Sequence, residues 1–369
     1  MNQIESEKVL HLRPHALHTK LSGPIPMISR ICMSLSQSQK KVVVNEILIP
    51  TPAEGQFLIK MASASLCHSD LMSIAIRDRK DPVTLGHEGA GYIHAMHPST
   101  QDKGFKIGDA VGFLYVQDGC FECAGCLVHN CHCLVSQSHT NGFEIPGFFA
   151  EYALVDWENC IVLPESMDVR EASPMFCAGL AAFHCVDSCE LEPNDWVVIV
   201  GCGGLGQFAI QFSKAMGARV IGVDINDETL ANAKAQGADL IFNSRTDSHT
   251  RDEILRVTNG GGKAVIVFSA AEAAYESAIP LIRVGGILMV AGLPANGIRL
   301  DALAIATKRF IVKGDSTSTP QRMKKGIEFA AKHGVKPVIQ TFDSLDAVPK
   351  MVDLMQQGKS TARMVVQFA

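Results

Sequence analysis

Several features are missing from the 369-residue chain, and each absence excludes something. No long run of like charges occurs, which argues against a disordered chain. No window approaches the ~18 consecutive apolar residues that a membrane span requires. The N-terminus lacks a basic start leading into a continuous apolar segment, so a secretory signal is not expected. Nor is there an excess of Lys and Arg. With a net charge of −5, the chain is a poor partner for nucleic acid or an anionic membrane, both of which need clustered positive charge. What remains is an ordinary globular balance, 47% hydrophobic and 19% charged, and a small-molecule partner is expected.

Cysteine is abundant. Twelve are present, and five crowd between Cys120 and Cys133, so thiolates holding metal in a reducing compartment are a better reading than disulfides. The expected compartment is the cytoplasm. Mitochondrial import is the minority alternative, because Glu5 and Glu7 sit where a leader is poor in acids.

The length exceeds what one core usually supports, so two domains are expected. Residues 1–26 show neither helical nor strand periodicity and read as an extension. From residue 27 to about 165, short β runs such as VVVNEILIP, FLIKM, GAGYI, DAVGFLYV and AEYALV alternate with Gly and Pro. Near Trp196 the pattern changes to WVVIV, RVIGVD, LIFN, AVIVF, ILMVAG and FIVKG, apolar runs without alternation that suit parallel strands covered on both faces. Helical periodicity returns after residue 314 and ends in MVVQF. The expected division is therefore a β-rich unit over 27–176 and 315–369 with an α/β unit, 177–314, inserted in it.

WVVIV runs directly into Gly201, Cys202, Gly203, Gly204, Leu205 and Gly206, and a helical stripe containing Phe208, Ala209 and Phe212 follows. A bare G-x-G-x-x-G is weak, but here a strand precedes it, a helix follows, and Asp224 ends the next strand eighteen residues past Gly206. The glycines allow a tight turn, close approach of a pyrophosphate to Gly203, and close helix packing at Gly206. Helix amides receive the phosphate charge, and Asp224 would accept ribose hydroxyls while repelling a 2′-phosphate, which favours NAD over NADP.

Cys120, Cys123 and Cys126 form C-x2-C-x2-C in a polar loop, with Cys131 and Cys133 close behind. Three thiols at this period curl around one point, and a fourth would close the tetrahedral shell of a structural zinc. By contrast Cys67 in ASLCHSD, His87 in GHEGAG and Cys177 in MFCAGLAAF are dispersed. Taken singly, Cys177 in its apolar run reads more readily as a buried small hydrophobe than as a ligand, and His87 could be a satisfied core histidine.

Taken in order, CHSD, GHEGAG, C-x2-C-x2-C, FCAG and VGCGGLG with Asp224, then GGILMVAGLP and ARMVV, resemble the zinc-dependent medium-chain alcohol dehydrogenases over residues 27–369. The resemblance implies an α/β fold, with a Rossmann-type doubly wound parallel sheet beside a β-rich GroES-like catalytic domain. It implies two Zn2+ per chain and NAD. Cys67, His87 and Cys177 become ligands of a catalytic zinc, Glu88 a carboxylate behind it, Ser69 a proton-passing hydroxyl and Tyr115 a wall of the substrate pocket. The glycine turn, Leu205 included, would bind the cofactor together with Arg363. The family's fourth structural cysteine would fall at Leu134. Cys133 is the expected substitute, then Cys131, with His129 and His132 as more distant stand-ins. The position of a relay histidine is read as Ala75.

Together these imply oxidation of a primary or simple secondary alcohol with hydride transfer to NAD. Aldehyde reduction in the reverse direction is an alternative, and a non-catalytic zinc-stapled dinucleotide-binding module is another. A homodimer or homotetramer is also implied.

Overall fold

The computed structural model describes residues 28–34, 42–76 and 82–369, and the extension expected over residues 1–26 lies outside them. The apolar runs form one six-stranded parallel sheet. Across it lie Leu240–Asn243, Arg219–Asp224, Trp196–Val200, Gly262–Val267, Ile282–Val290 and Phe310–Gly314, the 3-2-1-4-5-6 order of a doubly wound Rossmann sheet. The absence of alternation now has its reason. Val197, Ile199, Val220 and Ile266 face one buried cluster, while Val198, Val200, Ile221 and Val265 face another. Successive side chains point to opposite faces, and both faces are covered.

A second, mixed sheet carries Cys160–Val162, Ala110–Phe113, Glu88–Met96, Gln56–Ser65, Arg363–Gln367 and Ile339–Phe342 in that order, antiparallel except for the last pair, which is parallel. Strand Tyr152–Asp156 shares the Gln56–Ser65 edge with Arg363–Gln367, pairing with residues 56–60 while the C-terminal strand pairs with 63–65. MVVQF thus returns to the sheet formed by the first part of the chain. The helix Pro320–His333 sits between the two sheets' cores, with Phe329 packed among Phe183 and Phe212 at centroid distances of 5.5 and 6.2 Å. Strand pair Val116–Gln117 and His139–Thr140 is too short, two residues each, to leave a period in the sequence.

Among the described residues, no helix is long and apolar enough to cross a membrane.

Candidate active site

Cys67 caps the helix His68–Ala75, which begins where strand Gln56–Ser65 ends. His87 precedes strand Glu88–Met96. Gly86 makes its approach possible, with φ at +94° and room only for a hydrogen where a Cβ would lie 2.9 Å from the Phe149 amide nitrogen. Cys177 stands between a tight turn and the helix Ala178–Asp187. Residues far apart in the chain therefore converge: one ligand atom from each of Cys67, His87, Glu88 and Cys177 lies within 4.8 Å of every other.

His87 is held from behind. Its Nδ1 lies 2.9 Å from Oδ1 of Asp70, a fully buried carboxylate whose Oδ2 accepts the Cys67 amide at 2.8 Å. If Nδ1 carries the proton toward Asp70, Nε2 is left with its lone pair, and in this structure Nε2 is buried without a partner. Burial works against a charged imidazole, but Asp70 and Cys67 outweigh it and raise the His87 pKa well above its usual value, so in the metal-free site Nε2 also carries a proton, which a bound cation would displace. Cys177 donates to Cys67, which draws Cys67 well below the ordinary thiol pKa and holds Cys177 well above it. Two thiols and one unpartnered imidazole nitrogen are a donor set that suits zinc. Asp70 is not among the site residues expected from the sequence. It lies in CHSD, three residues after Cys67, where its carboxylate reaches back to the Cys67 amide.

Burial pushes Glu88 up to about 7 against the opposing Arg363 guanidinium. Its Oε2 accepts from both the Ser65 hydroxyl and Arg363 Nη2. The Arg363 side chain, expected at the pyrophosphate, is buried beside Gly204, where a Cβ would lie 2.9 Å from its Cδ and Nη1. One arginine thus touches both the glycine turn and the carboxylate of the metal-ligand group.

Ser69 lies with its hydroxyl 3.9 Å from Cys67 Sγ, and the Tyr115 ring meets His87 edge-on at 5.0 Å. Ala75 is exposed at the far end of its helix, more than two turns from Cys67, so its identity says nothing about a relay beside Ser69. Met72, one turn beyond Ser69, is the nearer position and cannot carry a proton.

In the turn, Gly201 has φ at +90°, and a Cβ on Gly206 would collide with the Gly201 carbonyl oxygen. At Gly203 a Cβ would meet nothing within 4 Å, leaving open the approach a pyrophosphate needs. Asp224 accepts from the amide of Cys202 at 2.8 Å and of Ile225 at 2.7 Å, fixing its carboxylate against the turn.

The second thiol group is Cys120, Cys123, Cys126 and Cys133, whose sulfurs lie within 4.8 Å of one another. Cys120 Sγ is 3.7 Å from Cys133 Sγ and 3.9 Å from Cys126 Sγ, against the ~3.8 Å edge of a tetrahedron with ~2.3 Å bonds. Backbone amides donate to the sulfurs, as Leu134 does to Cys123 at 3.3 Å. Hydrogen bonds from Cys120 and Ser136 lower the Cys133 thiol to about 5. Cys131 is exposed outside this group, and His129 turns its Nδ1 to the Cys131 amide.

Comparison with known proteins agrees with this geometry. Residues 53–165 match the alcohol dehydrogenase GroES-like domain, and residues 204–332 match the zinc-binding dehydrogenase family. An alcohol dehydrogenase of Moraxella sp. (strain TAE123) is 30% identical over 338 residues, covering 90% of this chain and 98% of its own length. One from Geobacillus stearothermophilus is 31% identical over 337 residues with the same coverage. The chain belongs to the zinc-dependent medium-chain alcohol dehydrogenases. As a member of this family it is an oxidoreductase of alcohols. The fold of this dehydrogenase also matches a solved NAD-dependent alcohol dehydrogenase at TM-score 0.81 and 24% identity, covering 92% of this chain and all of that one.

Proposed function

We propose that this dehydrogenase oxidises a primary or simple secondary alcohol with hydride transfer to NAD, reversibly, using one zinc at Cys67, His87 and Cys177 and a second at Cys120, Cys123, Cys126 and Cys133. The observation that carries this reading is the buried, unpartnered His87 Nε2 beside two thiols from distant segments. The division of the chain into a catalytic unit, 27–176 with 315–369, and a dinucleotide unit, 177–314, belongs to the same reading.

Bound zinc supplies Lewis acidity that eases loss of the alcohol proton, and NAD supplies the hydride acceptor. The protein's own residues do the rest. Cys67, His87 and Cys177 would hold the metal, while Asp70 fixes the imidazole tautomer. Two thiolates neutralise a doubly charged ion, which keeps the product releasable. Ser69 would hydrogen-bond the substrate oxygen and pass its proton outward to water, and Tyr115 would provide an apolar wall against the substrate carbon. The glycine turn receives the pyrophosphate and Asp224 the ribose hydroxyls. Oligomerisation as dimer or tetramer is part of the proposal.

Zinc content together with turnover tests it. Two zincs per chain and alcohol-dependent NADH formation are expected, with little turnover on NADP. Cys177→Ala should abolish turnover and retain the loop zinc. One zinc per chain, kept in that variant, would refute the assignment.

A further inference from the structure

Away from the proposed zinc centre, a cavity of about 240 Å³ opens between residues 166–175 and the C-terminal end of helix Pro320–His333 with the residues just after it. Its floor is Ala172, Met175, Ala330 and Val335, all buried. Such a surface offers water almost no partners, although the space would take on the order of eight molecules at ~30 Å³ each. An apolar body fits it better. The polar groups lie higher, with Glu171 half-buried in the wall and Asp168 and Lys336 exposed at the mouth.

Two carboxylates against one ammonium leave the mouth negative, and the fourteen-residue helix points its negative end at the same place. The basic residues of its last turn, Lys332 and His333, are exposed and do not line the cavity. We propose that this cavity is a binding site, separate from the alcohol site, for a small amphiphile with an apolar tail and a cationic head. The occupant would rest on Met175, two residues before Cys177, and so touch the turn that presents that thiol.

Hexyltrimethylammonium is the probe, because its quaternary nitrogen has no lone pair with which to coordinate a metal. Calorimetric titration of the full-length enzyme, loaded with zinc and NAD, should show one site per chain. Hexanoate, of similar length and opposite charge, should bind at least ~tenfold more weakly. Glu171→Gln should weaken the cation ~fivefold, and Ala331→Leu, which fills the wall, more than ~tenfold. Alcohol turnover should stay unchanged in both variants. Should Ala331→Leu fail to fold, Glu171→Gln and the hexanoate comparison decide alone. Absence of binding, equal binding of hexanoate, or affinity indifferent to the substitutions overturns the proposal.

Discussion

A single carboxylate organises two of the three proposed zinc donors. Asp70 grips the imidazole of His87 through one oxygen and the amide of Cys67 through the other, both inside the core. Removing it should loosen the ligands without touching the metal directly, and losses of ~10–100-fold are typical for such supporting partners. Asp70→Ala is therefore expected to lower kcat/KM and the retention of one zinc by about that factor on dialysis, with the loop zinc intact. Unchanged zinc retention would mean that the carboxylate merely caps its helix. The same logic separates the loop thiols. Cys133→Ser should release the loop zinc and lower the melting temperature, whereas Cys131→Ser, at an exposed position outside the cluster, should leave both alone. These distinctions were only partly legible in the sequence. The C-x2-C-x2-C run announced a metal because its thiols are adjacent along the chain, but Cys131 and Cys133 differ in which way a short turn points them, which spacing does not encode. Asp70, which the sequence pattern did not single out, also caps its helix through the Cys67 amide.

At the level of elements, strand Trp196–Val200, its turn and helix Gly206–Ala215 work as one unit whose glycines have different duties. Gly206 closes the helix onto the strand, so a methyl there meets the Gly201 carbonyl inside the protein. Gly203 faces open space, so a methyl there meets only a ligand. Gly206→Ala is expected to lower the melting temperature by several degrees. Gly203→Ala should melt like the parent yet bind NAD at least ~tenfold more weakly, because the added methyl occupies the pyrophosphate approach. Calorimetry and NAD titration of the two proteins check this, and equal NAD affinity in Gly203→Ala and parent would place the pyrophosphate elsewhere. This unit was readable in advance because burial on both faces removes alternation from the strands, while the following helix keeps its stripe. The two-residue strands near Val116 and His139 left no such trace. Their pairing is set by the loop between them, which carries the cysteine cluster.

On the scale of the whole molecule, the decisive contact joins the C-terminal strand to both halves of the chemistry. Arg363 opens strand Arg363–Gln367, pairs with Glu88 beside the proposed zinc donors, and lies against Gly204 in the glycine turn. No local pattern could disclose this, since the residues concerned come from three distant stretches of chain. The resemblance placed Arg363 at the cofactor. The structure shows it paired with a buried carboxylate. Glu88 is fully buried and Arg363 nearly so, which makes the pair costly to break and cheap to replace. Arg363→Leu alone leaves Glu88 buried without its cation and should destabilise the protein by about 3–5 kcal/mol. Glu88→Leu with Arg363→Leu should recover much of that loss, because both charges are gone. A double-mutant cycle on unfolding of the apo and NAD-bound enzyme measures the coupling. If the two losses simply add, the ion pair contributes nothing to holding the zinc-side sheet and the dinucleotide turn together. If the coupling is large and NAD protection falls in both arginine variants, this one side chain serves both the fold and the cofactor.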